Sequence, residues 1–295
     1  MTQFSSQTSF LFVIIVISVA LGLNDVTAAQ VSQGVNVLWS GSLLYFGWKL
    51  LPHVEPRDSL REGQRLVTAG FTKVFQTARE INANYKHGAR WFFLAVIFAE
   101  AGANSFTIVS VVFLDEQLGL SGTEIAIFFL VTLIFTVPGS KIAAYITRKT
   151  DPRRSWQMAM GVLFAWTVGG ALLLDVIPSY LAYVWGCGIG LLLGWFYPTE
   201  NLFFAMCLPK GKEAELAGFF VYCTQILGWL PPLIFSIMVE ADVSQTYGVI
   251  AVAAFLLVAI VLLHFAASWD DILEDSGRKG EVDDKNISQP SWRAT

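Results

Sequence analysis

The sequence predicts an all-α, polytopic membrane helix bundle of about eight transmembrane helices, two plus a group of six. Three observations carry the prediction. Hydrophobic residues make up 55% of the 295-residue chain and charged residues only 14%, outside the range of ordinary soluble domains. Apolar runs long enough to cross a bilayer recur along the chain, and Lys and Arg are confined to alternate connecting segments.

A helix needs about 20 predominantly apolar residues to span the hydrocarbon core. Six runs qualify, at 91–113, 124–146, 156–174, 179–197, 214–238 and 247–267. Two more lie upstream, at 9–23 and 34–51. The first is short and is followed by Thr27-Ala28-Ala29, which resembles a signal-peptidase site, so it reads as a retained helix or as a signal peptide. The lack of Lys and Arg in the leading segment favours retention.

Orientation follows from the 19 basic residues, because short loops rich in Lys and Arg stay in the cytoplasm. Eight lie from Lys49 to Arg90, five from Lys141 to Arg154, two at Lys210 and Lys212, and four after Trp269. The intervening loops, 24–33, 114–123, 175–178 and 239–246, hold none and carry Asp25, Asp115, Glu116, Asp175, Glu240 and Asp242 instead. The C-terminus is therefore expected in the cytosol, as is the N-terminus if the first span is retained. The sequon Asn286-Ile287-Ser288 is then expected to stay unmodified.

Four regions result: two helices in 1–51, a basic cytosolic loop in 52–90, six helices in 91–267 and a polar, acidic tail in 268–295 expected to be disordered. In the loop, Val67, Phe71, Val74, Phe75, Ala78, Ile81 and Tyr85 recur at helical spacing. They predict an amphipathic helix, either lying in the membrane interface or packed on the cytosolic ends of the bundle. Two helices plus six is what remains of a six-plus-six transporter lacking four helices. Cys187, Cys207 and Cys223 show no disulfide or zinc spacing and read as reduced packing residues. No nucleic-acid partner, cofactor or metal is implied; the partner that composition implies is the lipid bilayer.

Three segments carry a family resemblance. The first comprises Gly70 to Phe75, then Arg90-Trp91-Phe92-Phe93-Leu94-Ala95 and Glu100-Ala101-Gly102-Ala103-Asn104. The second is Leu118 to Glu124, with Val137-Pro138-Gly139 and the basic turn from Arg148 to Arg154. The third, and most specific, is Leu208 to Glu215, with Gly218-Phe219-Phe220-Val221-Tyr222 and Pro231-Pro232. Together they resemble the C-terminal portion of the Atg22-like, or UMF1, branch of the major facilitator superfamily, over about Lys49 to Ala267. The resemblance implies a secondary transporter working by alternating access, with amino-acid efflux from the vacuole, in support of autophagy, as its expected activity. Two positions depart from the family pattern. Thr147-Arg148 stands where an acidic residue is usual, and Glu100-Ala101 where Asn-Asp is usual.

Glu100 lies well inside an apolar span, and a carboxylate there is costly enough to be a functional candidate. Asn104, Thr107 and Ser110 follow it at i+4, i+7 and i+10, suggesting a polar stripe along a water-filled pathway. Glu100 then either carries a proton coupled to solute movement or hydrogen-bonds a neighbouring helix. Tyr222, Thr224 and Gln225, with Pro231-Pro232 beyond, form a second polar break that either lines a substrate site or kinks a packing helix. Gly186, Gly190 and Gly194 repeat four apart inside a span; that context rejects a nucleotide fingerprint and predicts close helix packing. Arg148, Arg153 and Arg154 are candidates for a cytosolic gate or for plain positive-inside anchoring. Glu213 and Glu215 either pair with that basic turn or favour the positive end of their own helix. His264 reads as an interfacial or packing residue or a proton relay.

Enzyme signatures are missing: there is no HExxH, no phosphate-binding loop, no serine elbow and no His/Cys metal spacing. A non-transporting membrane protein or assembly partner is the remaining alternative, and a homodimer or complementing half is the partner that a transporter of this size calls for.

Overall fold

The computed structural model describes residues 10–17, 21–22, 25–51, 66–85, 88–174, 178–208 and 212–277. Every regular element among them is helical. In chain order they are α1 (Asp25–Leu50), α2 (Leu66–Asn84), α3 (Ala89–Val112), α4 (Gly122–Lys149), α5 (Pro152–Leu174), α6 (Ala182–Cys207), α7 (Glu213–Gln225), α8 (Leu230–Glu240), α9 (Gln245–His264) and α10 (Trp269–Asp275). A further helical stretch occupies 10–17.

Among the described residues, five helical segments are long and apolar enough to cross a membrane: Ala89–Gln117, Gly122–Lys149, Pro152–Leu174, Glu215–Glu240 and Gln245–His264. The helix α6, 26 residues long, packs among them but is interrupted by four glycines and the polar stretch 198–201, which lower its hydropathy. Two expectations are corrected. The predicted loop at 24–33 is the start of α1, which runs unbroken for 26 residues, because Val26, Thr27, Ala28 and Ala29 offer no turn residue to stop it. The tail expected to be disordered from 268 begins with α10: Ser268 caps it through Asp271, and Ile272 and Leu273 are buried against the bundle. The remainder, from 278, the loop 52–65 and residues 9, 18–20 and 23 of the 9–23 run lie outside the described residues.

The bundle is organised by the contact of α4 with α6. A Cβ at Gly190 would come within 2.1 Å of the Thr132 carbonyl oxygen, and one at Gly194 within 2.2 Å of that of Thr136. Reciprocally, a Cβ at Gly139 would lie 2.2 Å from the Leu191 carbonyl. Backbone therefore meets backbone along this seam, as small residues permit in a bilayer, where dispersion rather than water exclusion holds helices together. The α5–α6 contact uses large residues against small ones. The Trp166 indole donates to the Trp185 carbonyl (3.0 Å) and Trp185 donates to the Trp166 carbonyl (3.2 Å). Each ring sits where a side chain on Gly188 or Gly170 of the opposite helix would otherwise stand.

At the basic end, Phe92 is fully buried among Phe203 (4.7 Å between ring centroids), Trp156 (5.6 Å) and Phe220 (6.2 Å). The Trp91-Phe92-Phe93 and Gly218-Phe219-Phe220 segments thus meet in one aromatic layer, with Phe93 edge-on to Phe219 at 5.1 Å. At the opposite end α3 closes with a π turn, Phe113–Gln117. Gly119 then takes a left-handed φ of +67°, open to glycine at no steric cost. Ser121 starts α4 with a capping box, its hydroxyl accepting from the Glu124 N–H while the Glu124 carboxylate accepts from the Ser121 N–H (2.8 Å).

The α4–α6 seam predicts that Gly190→Ala destabilises the protein by about 1–3 kcal/mol through overpacking. Gly169→Ala, where a Cβ meets nothing within 4 Å, is expected to be neutral or slightly stabilising. Apparent Tm values in detergent, read by size-exclusion chromatography after heating, check both.

Candidate functional site

The polar residues inside the bundle gather where α3 crosses α6. Glu100 is 5% exposed and accepts a hydrogen bond from the Asn104 amide at 2.7 Å, one turn along α3. From α6, the Tyr197 hydroxyl donates to the Asn104 amide oxygen at 3.2 Å. Glu200, one turn beyond Tyr197, is fully buried, and its carboxyl lies within hydrogen-bonding reach of that of Glu100. Two carboxyl groups thus meet inside the apolar bundle, joined to an amide and a phenol.

The stripe read from Glu100 to Ser110 is corrected. Asn104 and Thr107 are exposed on one side of α3, but Ser110 is buried. At about 100° per residue, i+4 and i+7 stay near the starting azimuth, whereas i+10 has rotated roughly 80° away. Asn201 of α6 and Tyr222 and Gln225 of α7 are exposed as well.

The span holding Gln225 is broken into α7 and α8 by the turn 226–229. Pro231 and Pro232 occupy the first positions of α8, where a missing N–H costs least. In a continuous helix the Gly228 carbonyl would accept from residue 232, which is proline and has no N–H. It is approached instead by the Ser105 hydroxyl of α3, at 3.4 Å. The break therefore sits beside α3, about one turn from Glu100.

The basic end holds the remaining candidates, and they do not form one cluster. Arg153 donates to the carbonyls of Ala267 (2.6 Å), Leu263 (3.1 Å) and His264 (3.2 Å), closing the C-terminal end of α9. A cation is favoured there by the helix dipole. Arg154 pairs with Asp151 three residues before it, at 3.3 Å. Arg148 lines a cleft of about 540 Å³ between the ends of α4, α5 and α6, with Thr147, Lys149 and Trp269 also on its wall. Thr147 donates to Ser155 (2.8 Å), which also accepts from the Trp195 indole (3.0 Å).

Glu215 faces a different partner from the basic turn. It accepts from Thr77 of α2 at 2.7 Å and pairs with Lys73 at 3.3 Å, while Glu80 of α2 pairs with Lys212. Glu213 lies in the exposed first turn of α7. The helix α2 thus packs through Thr77 and Ile81 on the start of α7 and leaves Phe71 and Phe75 exposed. Its inward face is rotated from the apolar face read in the sequence, because two ion pairs and a buried threonine hold it.

The family described as vacuole effluxer Atg22-like matches residues 1–269. The chain belongs to this Atg22-like family. No curated protein matches it. The family carries transporter-type function, and this Atg22-like chain is an integral membrane helical protein. The match begins upstream of the segments that carried the resemblance in sequence and so includes α1 as well as the six-helix region.

Glu200 is the member of the Atg22-like site that sequence reasoning missed. The apolar run was read as ending at Tyr197, short of Glu200. The structure carries α6 through Pro198 to Cys207. The signal was the apolar run from Leu202 to Cys207, which makes 198–201 a polar interruption within one helix. Among the described residues no three His, Cys, Asp or Glu side chains gather as a metal site. All three cysteines are free, Cys207 and Cys223 buried and Cys187 partly so.

Arg153→Ala is expected to lower stability by about 1.5–3 kcal/mol, since hydrogen bonds from a charged donor are among the stronger ones. Arg153→Lys is expected to recover only part of it, because a single ammonium cannot reproduce the planar fork. Thermal unfolding of the two variants beside wild type checks the order.

Proposed function

We propose that this Atg22-like protein is a secondary transporter that moves amino acids out of the vacuole by alternating access, returning them to the cytosol during autophagy. The observation that carries the reading is the set of exposed polar residues on neighbouring helices, Asn104 and Thr107 of α3 with Tyr222 and Gln225 of α7, of which Asn104 bonds inward to the buried Glu100. An amino acid needs acceptors for its ammonium group and donors for its carboxylate. Carboxyl, amide and hydroxyl side chains on neighbouring helices offer both. The broken α7–α8 span adds unwound backbone at similar depth, where discontinuous transporter helices meet polar solutes.

These polar residues are exposed, and a second copy or a complementing half would close them into a pathway. An alternative reading, an assembly partner that does not itself transport, is favoured by the same exposure together with the exposed Trp39, Tyr45 and Trp48 of α1.

Sealed acidic vesicles carrying the chain are expected to release labelled neutral amino acids faster than vesicles without it, and Glu100→Gln is expected to slow that release. Equal release from the two vesicle populations, with the protein shown to be folded, would sink the transport reading and leave the assembly reading.

A further inference from the structure

We propose that Glu100 and Glu200 together form a binding site for a single proton, held between their carboxyl groups where α3 crosses α6. Both oxygens of Glu200 are buried, and no donor among the described residues reaches either of them. Its carboxyl nevertheless lies within hydrogen-bonding reach of Glu100. Carboxylates only accept, so two ionised groups cannot bond to one another; one of them must carry the proton that joins them. Glu100 already accepts from Asn104, which assigns the proton to Glu200 and the accepting charge to Glu100.

Among the described residues the surroundings offer the pair no opposite charge. The titratable groups bearing on the pair are the two carboxyls themselves and the Tyr197 phenol. Among the described residues no Lys, Arg or His from α5, α7, α8 or α9 bears on either carboxyl. Across Gly102, two residues from Glu100, α9 presents Val252, Phe255 and Leu256, none of which can carry charge. Two bare negative charges side by side in such a setting are strongly disfavoured. A single proton removes one charge and supplies the missing donor. Calcium or magnesium would need six or more oxygen ligands and zinc three or four protein ligands, and the described residues hold no group of three acidic or metal-binding side chains.

A route for exchange is present. Asn104 is exposed and holds Glu100 at its other end. Pro198, two residues before Glu200, removes the donor that the Gly194 carbonyl would have in an unbroken helix, so α6 can bend next to the pair. A bend that opens the pair to water lets Glu200 release its proton, giving two carboxylates and one proton in solution; closing again requires a proton to return. Resting on the efflux reading above, this makes the proton the ion whose movement accompanies the solute.

Infrared difference spectroscopy of the full chain in lipid tests the site without any transport. At pH 7 the wild type is expected to show a protonated-carboxyl carbonyl band that moves in heavy water and is lost in Glu200→Gln. In Glu100→Gln the band is expected to persist at a shifted position, because only its hydrogen-bond acceptor has changed. Glutamine keeps the volume and offers a donor, so both variants should fold, and titration of the wild-type band with pH needs no variant at all. Identical wild-type and Glu200→Gln spectra in this region would overturn the proposal, as would loss of the band when sodium chloride replaces choline chloride at constant pH. A band present in a wild type that releases no amino acid leaves the proton site standing and removes the efflux reading; release without the band does the reverse.

Discussion

The seam between α4 and α6 is the constraint on which the rest of the structure depends. In lipid there is no water to exclude from between two helices, so their attraction comes from close contact of atoms and from backbone approach. Gly186, Gly190 and Gly194 on one helix and Gly139 on the other permit that approach. Because α6 is held so tightly along one face, its remaining faces are determined. Trp185 turns to α5, while Tyr197 and Glu200 turn to α3. The carboxyl pair is in this sense a consequence of glycines that lie about two to four turns before Glu200 along α6.

Polar groups in this bundle fall into two kinds. Some are satisfied within their own helix, as where Thr132 and Thr199 donate to the carbonyls four residues before them. Others join helices: Ser155 gathers Thr147 and Trp195, Arg153 closes the end of α9, and Thr77 ties α2 to the start of α7. The joining groups concentrate at the basic end, where chain reversals already expose backbone. Deeper in, joining contacts are sparser, and the Glu100 cluster and the Ser105–Gly228 contact stand out against an apolar background.

Much of the chain was legible from sequence. Most of the helical spans came from apolar run length, and which end of the bundle is basic from the positions of the basic residues. Glu100 declared itself as a charge in an apolar run. Gly119 and the Ser121 cap lie within a stretch already singled out, Leu118 to Glu124, whose glycine and serine are turn and cap residues in their own right, and the π turn directly precedes it. What misled was punctuation. The apolar run was closed at Tyr197, before the polar residues 198–201, yet α6 absorbs them, and α10 begins where disorder was read.

By itself the sequence determined that the chain is helical and lives in a membrane, which end of the bundle is basic, and that Glu100 and the glycine repeat required explanation. These follow from composition and periodicity, properties of one segment at a time. Only the tertiary structure decided which residues meet: that Glu100 faces Glu200 a hundred positions later, that Glu215 belongs to α2 and not to the basic turn, and that Arg153 ends up on α9. Such pairings depend on the rotation of each helix about its axis. That rotation is set by the closest contact it makes with a neighbour, which no single segment encodes.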